Sequence, residues 1–195
     1  MPDNTEAVPS RSLPDLEHYR GYLKSIAVVQ LGVRLQSKVD PSDVVQETMT
    51  DAIRDLDKFK GQDEAQFKAW LRTILTNNLK GLFREWGAQC RNPKYDVPLA
   101  QQIEQSSLGL EQFLAAEQTS PSQRVLRNER YDQLAEALTR LPEEQRVAVI
   151  LKYFQHWPLA EIAAHMDKSV TAVGGLLKRG LKRLKQLLSE DTNES

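Results

Sequence analysis

The chain has 195 residues, 40% of them hydrophobic and 27% charged, and a formal net charge of -1. That suffices to bury one ordinary core or two small ones, and the lone cysteine, Cys90, excludes a disulfide framework. No apolar run approaches the roughly 20 residues that cross a bilayer, and no basic start leads into an apolar signal core, so a cytoplasmic protein without membrane insertion is expected.

Helical periods dominate, and no alternating apolar-polar run is long enough to compete as a strand, so the chain reads as all-α. Tyr22, Ile26, Val29 and Val33 mark a first helix. Asp40-Pro41-Ser42 is a helix start signal, and Val45, Met49, Ala52, Leu56 and Phe59 mark the helix that follows. After the break at Lys60-Gly61-Gln62-Asp63, a longer helix is predicted from Glu64 to Trp86, with Phe67, Leu71, Ile74, Leu75, Leu82 and Trp86 turned inward.

Between Asn92 and Pro121 the period decays among Pro93, Pro98 and Gly109, and the stretch is read as a flexible linker. A second bundle starts near Ser122, with Leu126, Leu134, Leu138 and Leu141 on one helix and Val147, Ile150, Leu151 and Phe154 on the next. Leu159, Ile162, Ala163 and Met166 then recur at helical spacing, as do Val173, Leu176, Leu177, Leu181 and Leu184, with Asp167-Lys168-Ser169 between them. Two short helices meeting at such a turn, with Ser169 as N-cap of the second, read as a helix-turn-helix. The boundaries expected are a disordered tail over 1–14, a first domain over 15–92, a linker over 93–123, a helix-turn-helix domain over 124–188 and a disordered tail over 189–195.

Charge is segregated along this plan. Residues 10–95 carry 14 Lys and Arg against 11 Asp and Glu, residues 96–123 carry none against 4, and residues 124–188 carry 12 against 7. Lys178, Arg179, Lys182, Arg183 and Lys185 form an acid-free run from Val170 to Leu188, a positive stripe suited to phosphates, although many such runs are no more than solvated helix faces.

A second set of binding side chains lies earlier. Arg72, Lys80 and Arg84 interleave with Trp70, Asn77 and Asn78, and Lys58, Phe59, Lys60 and Phe67 precede or open that helix. Cations hold phosphates, and aromatic faces stack unpaired bases at about 1–3 kcal/mol each. Core packing is the competing role for Phe59, Phe67 and Trp70.

Catalytic chemistry finds little footing: the sequence has no Gly-rich phosphate loop after a strand and no nucleophile elbow. His18, His156 and His165 are isolated, so neither a metal nor a cofactor is expected, and the chain is read as non-enzymatic.

Asp40-Pro41-Ser42-Asp43-Val44-Val45-Gln46-Glu47-Thr48, followed by Ala52, Phe59, Phe67, Ala69-Trp70-Leu71, Ile74 and Asn77, resembles region two of bacterial RNA polymerase sigma factors. Leu141-Pro142, Glu161-Ile162-Ala163, Met166, Ser169, Val173, Leu177 and Arg179 resemble region four. With a short spacer between them, the ordered pair is similar to the extracytoplasmic-function group.

The resemblance implies a subunit that directs core RNA polymerase to promoters and assists their melting. Its partners would be core polymerase, promoter DNA and, in addition, an anti-sigma factor. It also assigns roles: Asp43, Gln46, Glu47, Asp51 and Arg54 to polymerase docking, and the segment from Lys58 to Arg84 to the minus-ten element. Ser169, Thr171, Ala172, Gly175, Lys178, Arg179 and Lys182 would meet the minus-thirty-five element. In the acidic spacer, Glu104, Glu111 and Glu117 would imitate nucleic-acid charge inside the polymerase. The chain departs from the family pattern at Met49, where a Phe is common, at Gly81 with Glu85-Trp86, and at Gly174-Gly175. An alternative consistent with the residues alone is a stand-alone helix-turn-helix regulator, which would bind its operator without polymerase.

Overall fold

The computed structural model describes residues 15–32, 35, 38–86, 97–116 and 126–193, and every regular element among them is helical. A 3-10 turn at Leu16–Tyr19 leads into α1 (Arg20–Leu31), followed by α2 (Pro41–Arg54), α3 (Glu64–Glu85), α4 (Leu99–Ala116) and α5 (Leu126–Thr139). Next come α6 (Glu143–Val149), which runs on into a π-helical turn at Ile150–Phe154, then α7 (Leu159–His165) and α8 (Val170–Asn193).

Local chemistry starts these helices where it was expected to. The Asp40 carboxylate accepts the Ser42 N–H at 2.8 Å with Pro41 in the first turn, and Asp63 accepts the Gln66 N–H at 2.7 Å. Ser169 Oγ accepts the Ala172 N–H at 3.1 Å, as an N-cap does. The turn before it closes α7 with a Lys168 N–H to Ala163 carbonyl bond of 2.9 Å around Asp167 at φ 52°, an arrangement that short polar side chains tolerate.

α1 is central and buried nearly all round, in contact with α2, α3, α4 and α5. Its expected one-sided face was therefore too narrow, and Val33 lies outside the described residues. In α3 the buried row is Phe67, Leu71, Leu75, Leu79 and Phe83. Trp86, expected inside, is 46% exposed, because it falls off that i, i+4 row at the helix end.

The largest departure lies in the segment read as linker. Leu99, Ile103, Ser106, Ser107, Gly109, Leu110 and Leu114 form the buried stripe of α4. Two of its members are serines whose burial rests on partners elsewhere: Ser106 Oγ accepts from Gln30 Nε2 at 2.8 Å, and Ser107 Oγ shares a 2.8 Å hydrogen bond with the Tyr22 hydroxyl. Gly109, read as punctuation, is where α4 crosses the π-helical turn, since a Cβ there would stand 2.8 Å from Phe154 Cα and from the Tyr153 carbonyl oxygen. α4 packs on α1, α3 and the π-helical turn, and α5 packs along α1, so one buried cluster runs from Tyr19 to Leu187. A smaller cluster of Leu151, Ile162, Ala163 and Val173 holds the helix-turn-helix together. The expected tail over 189–195 is likewise part helix, because α8 continues to Asn193 past the buried Leu184 and Leu187.

Candidate nucleic-acid interface

α8 turns Val173, Leu176, Gly180, Leu184 and Leu187 inward, which leaves the opposite face outside. On that face Ser169, Thr171, Ala172, Lys178, Arg179 and Lys182 are exposed and Gly175 is half-buried, so all seven residues assigned to the minus-thirty-five element share one surface. Lys178, Arg179 and Lys182 make no ion pair among the described residues, whereas Arg183 on the flank lies 4.0 Å from Glu190. Three uncompensated cations on the exposed face of a capped helix constitute a phosphate-attracting edge.

The two glycines here differ. A Cβ on Gly175 would come 3.3 Å from Arg179 Nη1, so Gly175 makes room for the guanidinium folded over it, while a Cβ on Gly174 would meet nothing within 4 Å. Gly174→Ala is therefore expected to stabilise the chain by up to about 1 kcal/mol through helix propensity. A raised denaturant midpoint at unchanged slope would show this, and a lowered midpoint would mean the position is crowded.

The α2 face is built differently. Asp43, Gln46, Glu47, Thr50 and Arg54 are exposed along one stripe, while Val44, Val45, Thr48, Met49 and Ala52 are buried behind it. Arg20 Nη1 donates to Gln46 Oε1 at 3.2 Å, and Asp51 is half-buried in a 2.6 Å ion pair with Arg54. Ile53 also sits on this stripe and is 64% exposed; the sequence reading missed it because it lies one position off the Val45, Met49, Ala52 period. The stripe combines acids, an amide and one exposed aliphatic side chain.

The residues assigned to the minus-ten element divide. Asn77, Lys80 and Arg84 are exposed on the outer face of α3, Lys60 is exposed in the preceding loop, and Lys58 is exposed in a 2.6 Å ion pair with Asp55. Phe59 and Trp70 are partly exposed with ring centroids 5.2 Å apart. Phe67 lies beneath them, 5.1 Å from Phe59 and 5.5 Å from Trp70, and is only 1% exposed, so it supports the two outer rings from the core instead of presenting its own face to a base. Asn78 turns inward and donates to Thr48 Oγ1 at 3.2 Å, tying α3 to α2.

Arg72 is the clearest correction. It projects from a different side of α3, where Nη1 donates to the Tyr22 hydroxyl at 2.8 Å and Nη2 pairs with Glu104 Oε2 at 2.8 Å. Burial opposes its charge, but the Tyr22 and Glu104 oxygens outweigh that and raise its pKa; burial in turn pushes the Tyr22 phenol up. Glu104 and Glu111 ride on α4, and Glu117, like Cys90, lies outside the described residues. Near the end of α3, the exposed Trp86 has Lys38 Nζ 5.7 Å from its ring centroid.

Among the described residues no group of three or more His, Cys, Asp and Glu side chains is placed to hold a metal ion, and His165 is packed edge-on against Trp157 at 5.4 Å. No described helix is long and apolar enough to cross a membrane.

An all-helical chain that presents a capped cationic helix, a cationic and aromatic face on a second helix and an acid-amide stripe on a third belongs to the class of DNA-binding proteins that also dock on a protein partner. Residues 16–86 match the model for Sigma-70 region 2, and residues 131–184 match that for Sigma-70 region 4. The chain is 30% identical over 146 residues to an ECF RNA polymerase sigma-E factor of Haemophilus influenzae, covering 75% of this chain and 73% of the relative. It is 32% identical to the ECF RNA polymerase sigma-E factor of Escherichia coli K12, covering 75% and 72%. This chain belongs to the ECF family of RNA polymerase sigma factors, which are non-enzymatic initiation factors acting with polymerase at promoter DNA.

Similar solved structures include the sigma factor RpoE in complex with the anti-sigma factor NepR from Bartonella quintana, at 22% identity and a TM-score of 0.33, covering 87% of this chain and 91% of that one. CnrH in complex with the cytosolic domain of CnrY matches at 24% identity and a TM-score of 0.34, covering 90% and 86%.

Proposed function

We propose that the three faces divide the work of promoter recognition, with residues 15–92 and 124–188 as the two working regions and residues 93–123 joining them. The α2 stripe of Asp43, Gln46, Glu47 and Arg54, with Ile53 as its apolar centre, docks on core RNA polymerase. Phe59 and Trp70 offer ring faces to unstacked bases of the minus-ten element, while Lys58, Lys60, Asn77, Lys80 and Arg84 hold its backbone. The exposed face of α8 enters the major groove of the minus-thirty-five element, where Arg179 is the side chain suited to bidentate base contact and Lys178 and Lys182 hold phosphates. The protein works in the cytoplasm, and an anti-sigma factor is a further partner, as in the solved complexes above.

The uncompensated cation row on the capped α8 carries this reading. Arg179→Ala, assayed in holoenzyme, is expected to weaken minus-thirty-five protection by about 1–3 kcal/mol while leaving minus-ten melting nearly intact. Lys182→Ala should instead lower affinity uniformly and reduce the salt slope by about 0.9. Footprinting and permanganate reactivity separate the two elements, and equal losses at both in Arg179→Ala would reject the assignment.

A further inference from the structure

The 3-10 turn at Leu16–Tyr19 sets Glu17 and Arg20 one over the other, since side chains three residues apart eclipse in that helix. Asp15 starts the turn by accepting the Glu17 N–H at 3.1 Å, and the Arg20 N–H closes it on the Glu17 carbonyl oxygen. Tyr19, between them, is buried with its ring centroid 5.1 Å from that of Phe67, which anchors the turn to α3. Within this frame Arg20 Nε donates to Glu17 Oε2 at 2.7 Å and Nη2 donates to Oε1 at 2.8 Å. Such a two-pronged ion pair fixes the plane of the guanidinium as well as its place. The hydrogen bonds hold the Glu17 carboxyl below its usual pKa and raise that of Arg20, so both stay ionised at neutral pH.

So exposed a pair adds little to folding: 38% of the Arg20 side chain and 64% of that of Glu17 are open to solvent. Its reach has more consequence. The remaining arm of the fixed guanidinium, Nη1, crosses from α1 to α2 and donates to Gln46 Oε1 at 3.2 Å. A guanidinium carries donors only, so the Gln46 amide must turn its oxygen to Arg20 and leave both Nε2 hydrogens for another acceptor. None of the described residues supplies one, and Gln46 is exposed beside the exposed Asp43 and Glu47 carboxylates.

We infer that Arg20, clamped by Glu17, is a positioning residue for polymerase docking: it holds the Gln46 amide so that the α2 stripe offers one oriented hydrogen-bond donor beside two carboxylates. The polymerase surface that fits carries a carbonyl or carboxylate oxygen opposite Gln46 and cations opposite Asp43 and Glu47. This rests on the assignment of α2 to polymerase docking proposed above. A free glutamine would present its amide in either sense and lose its rotamer freedom on binding, whereas a held one has lost it before the partner arrives.

Two measurements on the full chain test the role: affinity for core RNA polymerase, and nitrogen relaxation of the Gln46 side-chain amide in the free chain. In the unaltered chain that amide should be well ordered compared with the amide of the exposed Gln186. Arg20→Lys, which keeps the charge without the fork, should release it. Arg20→Lys and Arg20→Ala should each weaken polymerase binding by about 2- to 12-fold, the cost of immobilising one long side chain. Gln46→Ala should weaken it by at least about fivefold. Adding Arg20→Ala to Gln46→Ala should cost nothing more, because Arg20 acts through Gln46. Gln46→Glu keeps an acceptor for Arg20 but has no donor, and should bind no better than Gln46→Ala.

A Gln46 amide as mobile as that of Gln186 in the unaltered chain, full affinity in Arg20→Lys, or losses that add in the double variant would each overturn the inference. Full affinity in Gln46→Glu would overturn it too, since no oriented donor would then be needed. Should Arg20→Ala lose its helical circular dichroism, Arg20→Lys and Gln46→Glu decide. An amide held by Arg20 in the free chain, together with polymerase binding indifferent to both Gln46→Ala and Asp43→Arg, would instead reject α2 as the docking face, and with it the reading on which the inference rests.

Discussion

Asp43→Arg is expected to abolish capture of core RNA polymerase while the chain stays folded. Asp43 is exposed in the first turn of α2, where its carboxylate makes no tertiary hydrogen bond or ion pair among the described residues. Reversing its charge beside the helix N-terminus costs about 0.3–1 kcal/mol of stability. At an interface the same change removes one charge of a complementary set and adds repulsion. Burying a mismatched charge costs about 2–5 kcal/mol, so affinity should fall by at least about thirtyfold. Pull-down with core enzyme, beside a melting curve that moves by only a few degrees, checks both halves. Normal capture would remove α2 from the docking face.

Phe67→Ala is expected to cost about 3–5 kcal/mol of folding stability, the penalty for emptying a buried aromatic site. Its ring packs against Tyr19 and Phe59 at 5.1 Å and against Trp70 at 5.5 Å. A base-stacking role would predict the opposite pattern: stability nearly unchanged and single-stranded minus-ten binding reduced by about 1–3 kcal/mol. Trp70→Ala, at a half-buried position, should lie closer to that second pattern. Denaturant titration set beside oligonucleotide binding distinguishes the two. A fully stable Phe67→Ala chain would return Phe67 to the binding face.

Much of the fold was legible because its signals are local. Caps such as Asp40 and Ser169 act within three residues, and the apolar rows of α2, α7 and α8 repeat at helical spacing. The face of α8 followed directly, since the residues left over from a buried row must lie outside.

What escaped depended on tertiary partners. α4 was unreadable as a helix because serines and a glycine occupy its buried stripe, and those become core residues only when Gln30, Tyr22 and the π-helical backbone stand opposite. Arg72 looked like one more cation in a basic helix, and only the position of Tyr22 and Glu104 shows that its charge is spent inside the molecule. Ile53 and Trp86 erred in opposite directions. Each is apolar and off the buried row of its helix, and periodicity alone does not say whether such a residue is core or contact surface.

A chain that directs core RNA polymerase to promoters must assemble with it before it engages DNA. Size-exclusion chromatography of the purified chain with core RNA polymerase, followed by transcription from a genomic promoter library, tests this most directly. The predicted result is a stable one-to-one complex that yields transcripts from a defined promoter set, which the free chain at the same concentration does not protect. A chain that fails to co-elute with polymerase and protects its DNA sites unaided would contradict the account.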